Sequence, residues 1–164
     1  MNIVKLNSLA EDDFADFFKH LLEHADWVIK SLELARPFSC IDDLKINLSS
    51  IVRSASDDQK RSLLIHHPKL GSSVQVQGFS ESEQNKAGLH ALSDDESVSF
   101  KKMNEIYEGK MGFPFVVAVA GLSQREIFQA LELRCHGNPI NELAVAIDEL
   151  IKVAFIRISK LIPD

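Results

Sequence analysis

Hydrophobic positions recur every three to four residues over most of this chain, which is the period of an amphipathic α-helix. The clearest apolar stripe lies near the end and comprises Leu143, Ala146, Ile147, Leu150, Ile151, Ala154, Ile158 and Leu161. The pattern predicts helices over residues 9–24, 26–35, 41–54, 57–66, 81–91, 94–109, 124–136 and 140–161. We therefore expect an all-α fold, a compact bundle of about eight helices with one short extended segment.

Short motifs at several predicted helix starts have the form of a capping box. In this motif a Ser side chain accepts a hydrogen bond from a backbone N–H farther along the first turn, and an acid or amide there reaches back. The matching pairs are Ser8 with Glu11, Ser56 with Gln59, Ser80 with Glu83, Ser93 with Glu96, and Ser123 with Glu126. Each pair predicts the first turn of a helix.

Proline and glycine mark the breaks between the predicted helices. Pro68 ends the fourth helix, because the residue before a proline is disfavoured in the α region. Residues 69–79 contain Gly71 and Gly78 and are predicted to form a loop. The segment 113–119 is rich in aromatic and β-branched residues, which predicts extended chain.

One charged residue lies inside the apolar stripe of the last helix. On a helical-wheel projection of this helix, Arg157 lies between Leu150 and Ala146. A guanidinium on an apolar face needs partners, because burying an unpaired charge is very costly. Two interpretations stay open, a snorkelling or structurally paired arginine and an anion anchor in a pocket.

Composition limits the class of protein. With 164 residues, 45% of them hydrophobic, the chain has the length of one domain, and we expect residues 1–164 to fold as a single domain. No run of about 18 apolar residues occurs and no secretory signal is recognisable, so we expect a cytoplasmic protein that has no membrane partner. The net charge of −6, without clusters of Lys and Arg, argues against nucleic-acid binding. Cys40 and Cys135 are expected to be free thiols.

Adjacent histidines stand at the end of the fourth predicted helix. His67 precedes Pro68, where an imidazole would project into a loop, either as a structural group or as an acid–base group. His66 points about 100° away on a helix, and no Glu or His at metal-ligand spacing accompanies the pair. We therefore expect no metal site.

Two further polar clusters could bind a ligand. Residues 80–84 would place spare N–H donors at a helix start, which suits either an anion or a simple cap. The extended segment 113–119 would leave backbone N–H and C=O groups that a flat polar ligand could pair, although ordinary core packing also explains its aromatic residues.

These motifs, taken in order, carry a family resemblance over nearly the whole chain. They are Arg36-Pro37-Phe38, His67-Pro68 with Leu70-Gly71, Ser80-x-x-Glu83-Gln84 with Ala87-Gly88-Leu89, Asn104-x-x-Tyr107 with Gly112-Phe113-Pro114-Phe115-Val116, and Arg157. Together they resemble the 2-oxo-4-hydroxy-4-carboxy-5-ureidoimidazoline (OHCU) decarboxylases.

The resemblance implies an all-α, usually homodimeric enzyme of urate breakdown that converts OHCU to (S)-allantoin without a metal or organic cofactor. It implies that His67 is the catalytic proton donor and that Glu83 works beside it. Substrate-binding residues would be Pro68, Ser80, Gln84 and Arg157, together with backbone groups of Phe115, Val116, Val117, Ala118 and Val119.

Two departures from the family pattern and three alternatives accompany this interpretation. Lys69 stands where family members often carry Asp, and Met111 where they often carry an aromatic residue, so the fine tuning of the substrate site is in question. The first alternative is a non-catalytic helical module that binds purine-derived small molecules. The second is a plain helical interaction domain that does not depend on His67. A metal hydrolase is disfavoured because the ligand spacing is lacking.

Overall fold

The computed structural model describes residues 1–71 and 78–163, and within these ranges the chain is all-α, as the pattern predicts. Its α-helices are α1 (Ile3–Asn7), α2 (Glu11–Phe18), α3 (Asp26–Leu34), α4 (Ile41–Ser54), α5 (Asp57–His66), α6 (Phe79–Lys86), α7 (Asp94–Met111), α8 (Gln124–Cys135) and α9 (Pro139–Leu161), and one 3₁₀ turn spans Leu89–Ala91. The chain forms two compact units, residues 1–66 with the residues from 151 onward, and residues 67–150. None of the helices in the described ranges is long and apolar enough to cross a bilayer.

The first predicted helix, residues 9–24, is wrong in extent. Within this range the chain turns over residues 19–24 and forms only one helix, α2, which begins later than predicted because α1 ends just before it. The reason is the role of Ser8, whose hydroxyl donates to the carbonyl of Lys5 (2.8 Å) and closes α1. Helix α2 follows Ala10 without a side-chain cap, so the capping box predicted for Ser8 and Glu11 is also wrong.

Three of the predicted capping boxes are confirmed, with reciprocal hydrogen bonds in each. They are Ser56 with Gln59, Ser93 with Glu96, and Ser123 with Glu126. The box predicted for Ser80 and Glu83 is wrong, because α6 already begins at Phe79. The preceding residue, Gly78, has a φ of 72° and no side chain that could cap. Ser80 therefore lies inside the first turn of α6.

In the first unit, α2, α3 and α4 pack on a shared apolar core. Among its fully buried side chains are Phe14, Phe18, Leu32, Leu44 and Leu48. Complete burial of one such side chain contributes about 1.5–3 kcal/mol. The core therefore accounts for the regular spacing of apolar residues in this half of the sequence.

The Arg36-Pro37-Phe38 motif connects α3 to α4 and includes a cis peptide bond before Pro37. The side chain of Asn7 makes two hydrogen bonds with the backbone of Phe38 (2.8 and 2.9 Å). Arg36 donates to the carbonyl of Leu9 (2.6 Å), and its guanidinium lies 4.7 Å from the centre of the Phe14 ring. The described contacts of this motif hold the N-terminal helices together.

In the second unit, α7 packs against α8, and the segment between them enters the core. Gly112 ends α7 with a φ of 78°, and its N–H donates to the carbonyl of Glu108 (2.9 Å). Residues 114–119 then belong to no helix, strand, turn or bend. The rings of Phe113 and Phe115 meet the buried Tyr107 edge to face at 6.1 and 5.4 Å. These core contacts therefore fix the beginning of an irregular segment.

Candidate functional site

His67 directly follows α5 and is buried, with 7% of its surface exposed. The helix ends at His66, as the following His67-Pro68 pair predicts. His66 differs from its neighbour because it is exposed. Its Nδ1 lies 2.8 Å from the carbonyl of Ser62, and its ring stacks on that of His24 at 4.4 Å. Of the two adjacent histidines, His67 is therefore the one inside the protein.

Helix α6 buries polar side chains where a structural helix would bury apolar ones. Ser80 and Gln84 lie one turn apart and are both buried, and the half-buried Glu83 stands beside them. Buried polar groups must find hydrogen-bond partners, so such a face is typical of a binding site or of a polar structural network. The structure therefore brings three of the predicted site residues onto one face.

Gln84 joins this face to the chain that follows His67. Its side-chain oxygen accepts from the N–H of Gly71 (3.1 Å), and its side-chain nitrogen donates to the carbonyl of Lys69 (3.4 Å). Asn104 of α7 reaches the same segment by donating to the carbonyl of Leu70 (3.5 Å). The described part of the predicted loop, through Gly71, is thus held from two helices, and residues 72–77 lie outside the described residues.

Lys69 and Met111, the two departures from the family pattern, have structural surroundings of their own. Lys69 forms an ion pair with Glu108 (2.6 Å) in which both side chains are partly exposed. Met111 is buried in the second unit at the end of α7. Lys69 thus joins the segment after His67 to α7, and Met111 belongs to the buried side of α7.

The segment from Phe115 to Val119 is tied down through its backbone. Arg134 donates from Nη1 to the carbonyl of Val116 (2.6 Å). The N–H of Ala118 donates to Oε2 of Glu149 (2.9 Å). The carbonyl of Val119 accepts from the N–H of Leu122 (3.0 Å). Part of the backbone that is predicted to bind the substrate therefore already forms hydrogen bonds within the protein.

A buried polar cluster supports this segment and was missed by the sequence analysis. The carboxylate of Glu142, 4% exposed, accepts from the hydroxyl of Tyr107 (2.5 Å) and from Nε of Arg134 (2.6 Å). Burial, followed by the hydrogen bond to Glu142, raises the pKa of Tyr107 above its usual value, so the phenol stays a donor. Tyr107 belongs to one of the motifs that carry the family resemblance. Nothing local in the sequence, however, pairs Arg134 with Glu142.

Arg157 is completely buried within the first unit. Its Nη1 donates to the carbonyl of Leu21 (2.8 Å) and lies 3.5 Å from a carboxylate oxygen of Glu23. These contacts are those of a structurally paired arginine, the first of the two interpretations. They do not test the second interpretation. Its role as an anion anchor stays a prediction.

A groove of the second unit lies apart from these residues. It has a volume of about 580 Å³ and lies between α7 and α8, where it is lined by residues such as Leu92, Phe100, Gln124 and Phe128. None of the predicted site residues lines it. We place the candidate site by its buried polar groups, because those groups, and not open volume, can do acid–base chemistry.

Comparisons with known proteins agree with the resemblance. The family model described as OHCU decarboxylase matches residues 7–159. An OHCU decarboxylase of Haloferax volcanii is 34% identical over 160 residues, which cover 98% of this chain and 95% of that protein. A uric acid degradation bifunctional protein of Bacillus sp. (strain TB-90) is 34% identical over 161 residues. In that case the chain spans 98% of its own length but only 32% of the relative.

Two solved structures are similar in fold. A crystal structure of (S)-allantoin synthase superposes with a TM-score of 0.81 at 28% identity, covering 99% of this chain and 54% of that one. A crystal structure of OHCU decarboxylase in the presence of (S)-allantoin gives a TM-score of 0.76 at 22% identity, covering 94% of this chain and all of that one. The second likeness concerns the fold alone. From the family match and the Haloferax relative, we conclude that the chain belongs to the OHCU decarboxylase family.

Proposed function

We propose that this chain is a carboxy-lyase that converts OHCU to (S)-allantoin in urate breakdown. The match of residues 7–159 to the OHCU decarboxylase family carries the proposal. The geometry supports it, because the matched region contains a buried imidazole, a helix face with buried polar groups and a backbone segment fixed at defined positions.

The proposed reaction needs an electron sink, which the substrate itself contains. When the bond between the ring carbon and the carboxylate breaks, CO2 leaves, the electron pair forms a C=C bond to the adjacent ring carbon, and the electrons of the C=N bond move to the nitrogen, which takes a proton. The ring carbon that bears the ureido group then takes a proton from one face, which sets the (S) configuration, while the hydroxyl group of the neighbouring carbon loses its proton and becomes the carbonyl of allantoin. Enzymes that decarboxylate ordinary acids borrow such a sink from a cofactor. We therefore propose that no cofactor takes part.

We propose His67 as the proton donor and Glu83 as the carboxylate that works beside it. Support comes from the burial of His67 and from the position of Glu83 on the polar face of α6. A positioned acid–base group contributes about 10²–10⁴ in rate. Ser80 and Gln84 of the same face would hold polar groups of the substrate, and Pro68 would shape the pocket.

Two further groups complete the proposed substrate site. Backbone groups between Phe115 and Val119 would bind the ureido and ring amides. Arg157 would hold an anionic or carbonyl oxygen with its planar fork of donors. The place of Arg157 in the family pattern, within the matched region, supports this role.

We also propose that residues 1–164 act as one domain and as a homodimer in the cytoplasm, with no nucleic-acid or membrane partner. The family match supports the single domain, because it runs through both compact units. The net charge of −6 is in keeping with the absence of a nucleic-acid partner.

The proposal is tested by generating OHCU in place from urate with two upstream enzymes and adding this protein. Circular dichroism follows the appearance of optically active allantoin. We expect fast formation of the (S) enantiomer in proportion to the amount of protein. A racemic product at the spontaneous rate would contradict the proposal, and binding of (S)-allantoin without turnover would indicate the non-catalytic binding module.

A further inference from the structure

Two side chains from different helices hold the two peptide groups that flank Val117. Arg134 of α8 donates to the carbonyl of Val116 (2.6 Å). Glu149 of α9 accepts from the N–H of Ala118 (2.9 Å). The first belongs to the peptide group between Val116 and Val117, and the second to the peptide group between Val117 and Ala118. Both peptide planes are therefore fixed from outside the segment.

The planarity of the peptide bond determines where the remaining groups of Val117 point. In a trans peptide the C=O and N–H point in opposite directions. Both peptide bonds are trans, since the cis bond described in this chain precedes Pro37. The N–H of Val117 therefore points away from Arg134, and its C=O points away from Glu149. Each of these two groups of Val117 thus points away from the side chain that holds its own peptide plane.

Arg134 is itself held rigidly. Its Nε and Nη2 lie 2.6 and 2.5 Å from the carboxylate of Glu142, and its guanidinium carbon lies 4.7 Å from the centre of the Phe115 ring. The hydroxyl of Tyr107 donates to the same carboxylate. Side chains of α7, of α9 and of the segment itself therefore fix the guanidinium before any ligand binds, and the orientation of the Val116 carbonyl is set in advance.

We propose that Arg134 and Glu149 are positioning residues that aim the N–H and C=O of Val117 at an amide edge of the substrate. The inference rests on the proposed function, in which this segment binds the substrate amides. A ligand edge with adjacent acceptor and donor, such as a ring amide, matches one residue's N–H and C=O as two residues match in an antiparallel ladder. Arg134 and Glu149 touch no substrate in this arrangement and act through the backbone.

Glu149 offers the cleaner test, because it is half-buried and its replacement disturbs the core less than loss of Arg134. Glu149→Gln keeps an oxygen that can accept from Ala118, whereas Glu149→Leu removes the acceptor. The probe is (S)-allantoin, the stable product, titrated by calorimetry. We expect its Kd to rise about tenfold in Glu149→Leu and less than about threefold in Glu149→Gln, since one to two hydrogen bonds are misaligned. In the turnover assay KM should rise while kcat changes by less than about threefold.

An allantoin methylated on the ring amide nitrogen separates a positioning role from a structural one. The natural protein should bind this analogue more weakly than (S)-allantoin, because the methyl group replaces the N–H that would donate a hydrogen bond to the C=O of Val117. Glu149→Leu should lose most of that discrimination, whereas a merely structural defect would weaken both ligands equally. Arg134→Met should behave in the same way. If it does not fold, the two Glu149 variants decide the matter alone.

The outcomes are distinguishable from failure of the proposed function. If the natural protein neither binds (S)-allantoin nor forms it, the proposed function fails. Suppose instead that the natural protein is active, and that Glu149→Leu binds (S)-allantoin with the same Kd and discriminates equally against the methylated analogue. The positioning role is then wrong. Equal losses in Glu149→Leu and Glu149→Gln would also overturn it, because the acceptor oxygen would then be irrelevant.

Discussion

His66 and His67 are neighbours in sequence but lie in different environments. His66 is exposed, and its Nδ1 contacts the carbonyl of Ser62, whereas His67 is buried where α5 has ended. A donor inside the protein delivers its proton to one face of a bound ligand, while an exposed one exchanges with solvent. The stereochemistry of the product therefore depends on which histidine faces the substrate.

Arg157 is the residue at which charge and geometry can be separated. Arg157→Lys keeps the charge, but a single ammonium cannot hold the carbonyl of Leu21 and also bind the substrate bidentately. We expect KM for OHCU to rise by about tenfold or more, with a smaller change in kcat. Steady-state kinetics measure both values, and the exposed Arg125 of α8 provides a matched Arg→Lys control. An unchanged KM would leave Arg157 only its structural pairing.

At the scale of elements, the segment after His67 depends on one glycine. Gly71 has a φ of 65°, and a Cβ added there would lie 2.8 Å from Cδ1 of Phe100. Both the backbone conformation and the close approach therefore require glycine. Gln84 and Asn104 hold the same segment, so its conformation is shared by α6 and α7.

Gly71→Ala should lower the free energy of unfolding by about 1–3 kcal/mol, because the strain adds to the steric overlap. Gly109→Ala is the matched control, since Gly109 lies within α7 and its added Cβ would meet nothing within 4 Å. Gly109→Ala should raise the free energy of unfolding by about 0.5–1 kcal/mol, because alanine favours the helix more than glycine does. Urea unfolding measures both variants, and equal effects of the two would refute the account of this segment.

The cap of α8 should make the stability of the protein depend on pH in the acid range. The hydrogen bond from the backbone N–H of Ser123, followed by that from its side chain, lowers the pKa of Glu126 below the usual value of a glutamate. A lowered pKa means that the contribution is present above the unfolded-state pKa and is lost as pH falls through the folded-state pKa. Glu126→Ala should therefore destabilise at pH 7 and have progressively less effect as the pH falls below about 4.

Thermal unfolding at a series of pH values measures this dependence, with Glu132→Ala as the control from the exposed surface of the same helix. Because Glu132→Ala removes no capping group, this control should not show the pH-dependent loss of stability expected for Glu126→Ala. A Glu126→Ala effect that is as large at pH 3 as at pH 7 would contradict the capping role.

Sequence reasoning succeeded where the cause of a feature is local. The starts of α7 and α8 follow from Ser93 and Ser123, and the end of α5 follows from Pro68, because caps and proline act within one turn. The start of α2 was missed because Ser8 has two possible helices to cap, one ending and one beginning, and local sequence does not choose between them.

The candidate site was predictable only in part, for a related reason. His67, Ser80 and Gln84 stand in motifs, and their burial agrees with the site proposed for them. The pairing of Arg134 with Glu142, and of Glu149 with Ala118, joins separate elements. A single Arg or Glu on a predicted helix is expected to be solvated, because a partner on another element is not apparent from the sequence. Periodicity alone therefore cannot identify such a residue as part of a buried polar cluster.

At the scale of the whole molecule, the family match spans residues 7–159 and so includes residues from both compact units. The related Haloferax protein is about as long as this chain, whereas the Bacillus relative is a bifunctional protein of which the chain spans about a third. The family pattern thus occurs both as nearly a whole protein and as part of a larger one.

The most direct test of this account compares His67→Asn with His66→Asn in the circular dichroism assay for (S)-allantoin. The two changes are chemically identical and one residue apart, and a thermal melt checks that both variants fold. We predict that His67→Asn loses about 10²–10⁴ in rate, to the level of spontaneous decay, while His66→Asn keeps its rate within about threefold. Rapid formation of (S)-allantoin by folded His67→Asn would contradict the proposed role of the buried imidazole.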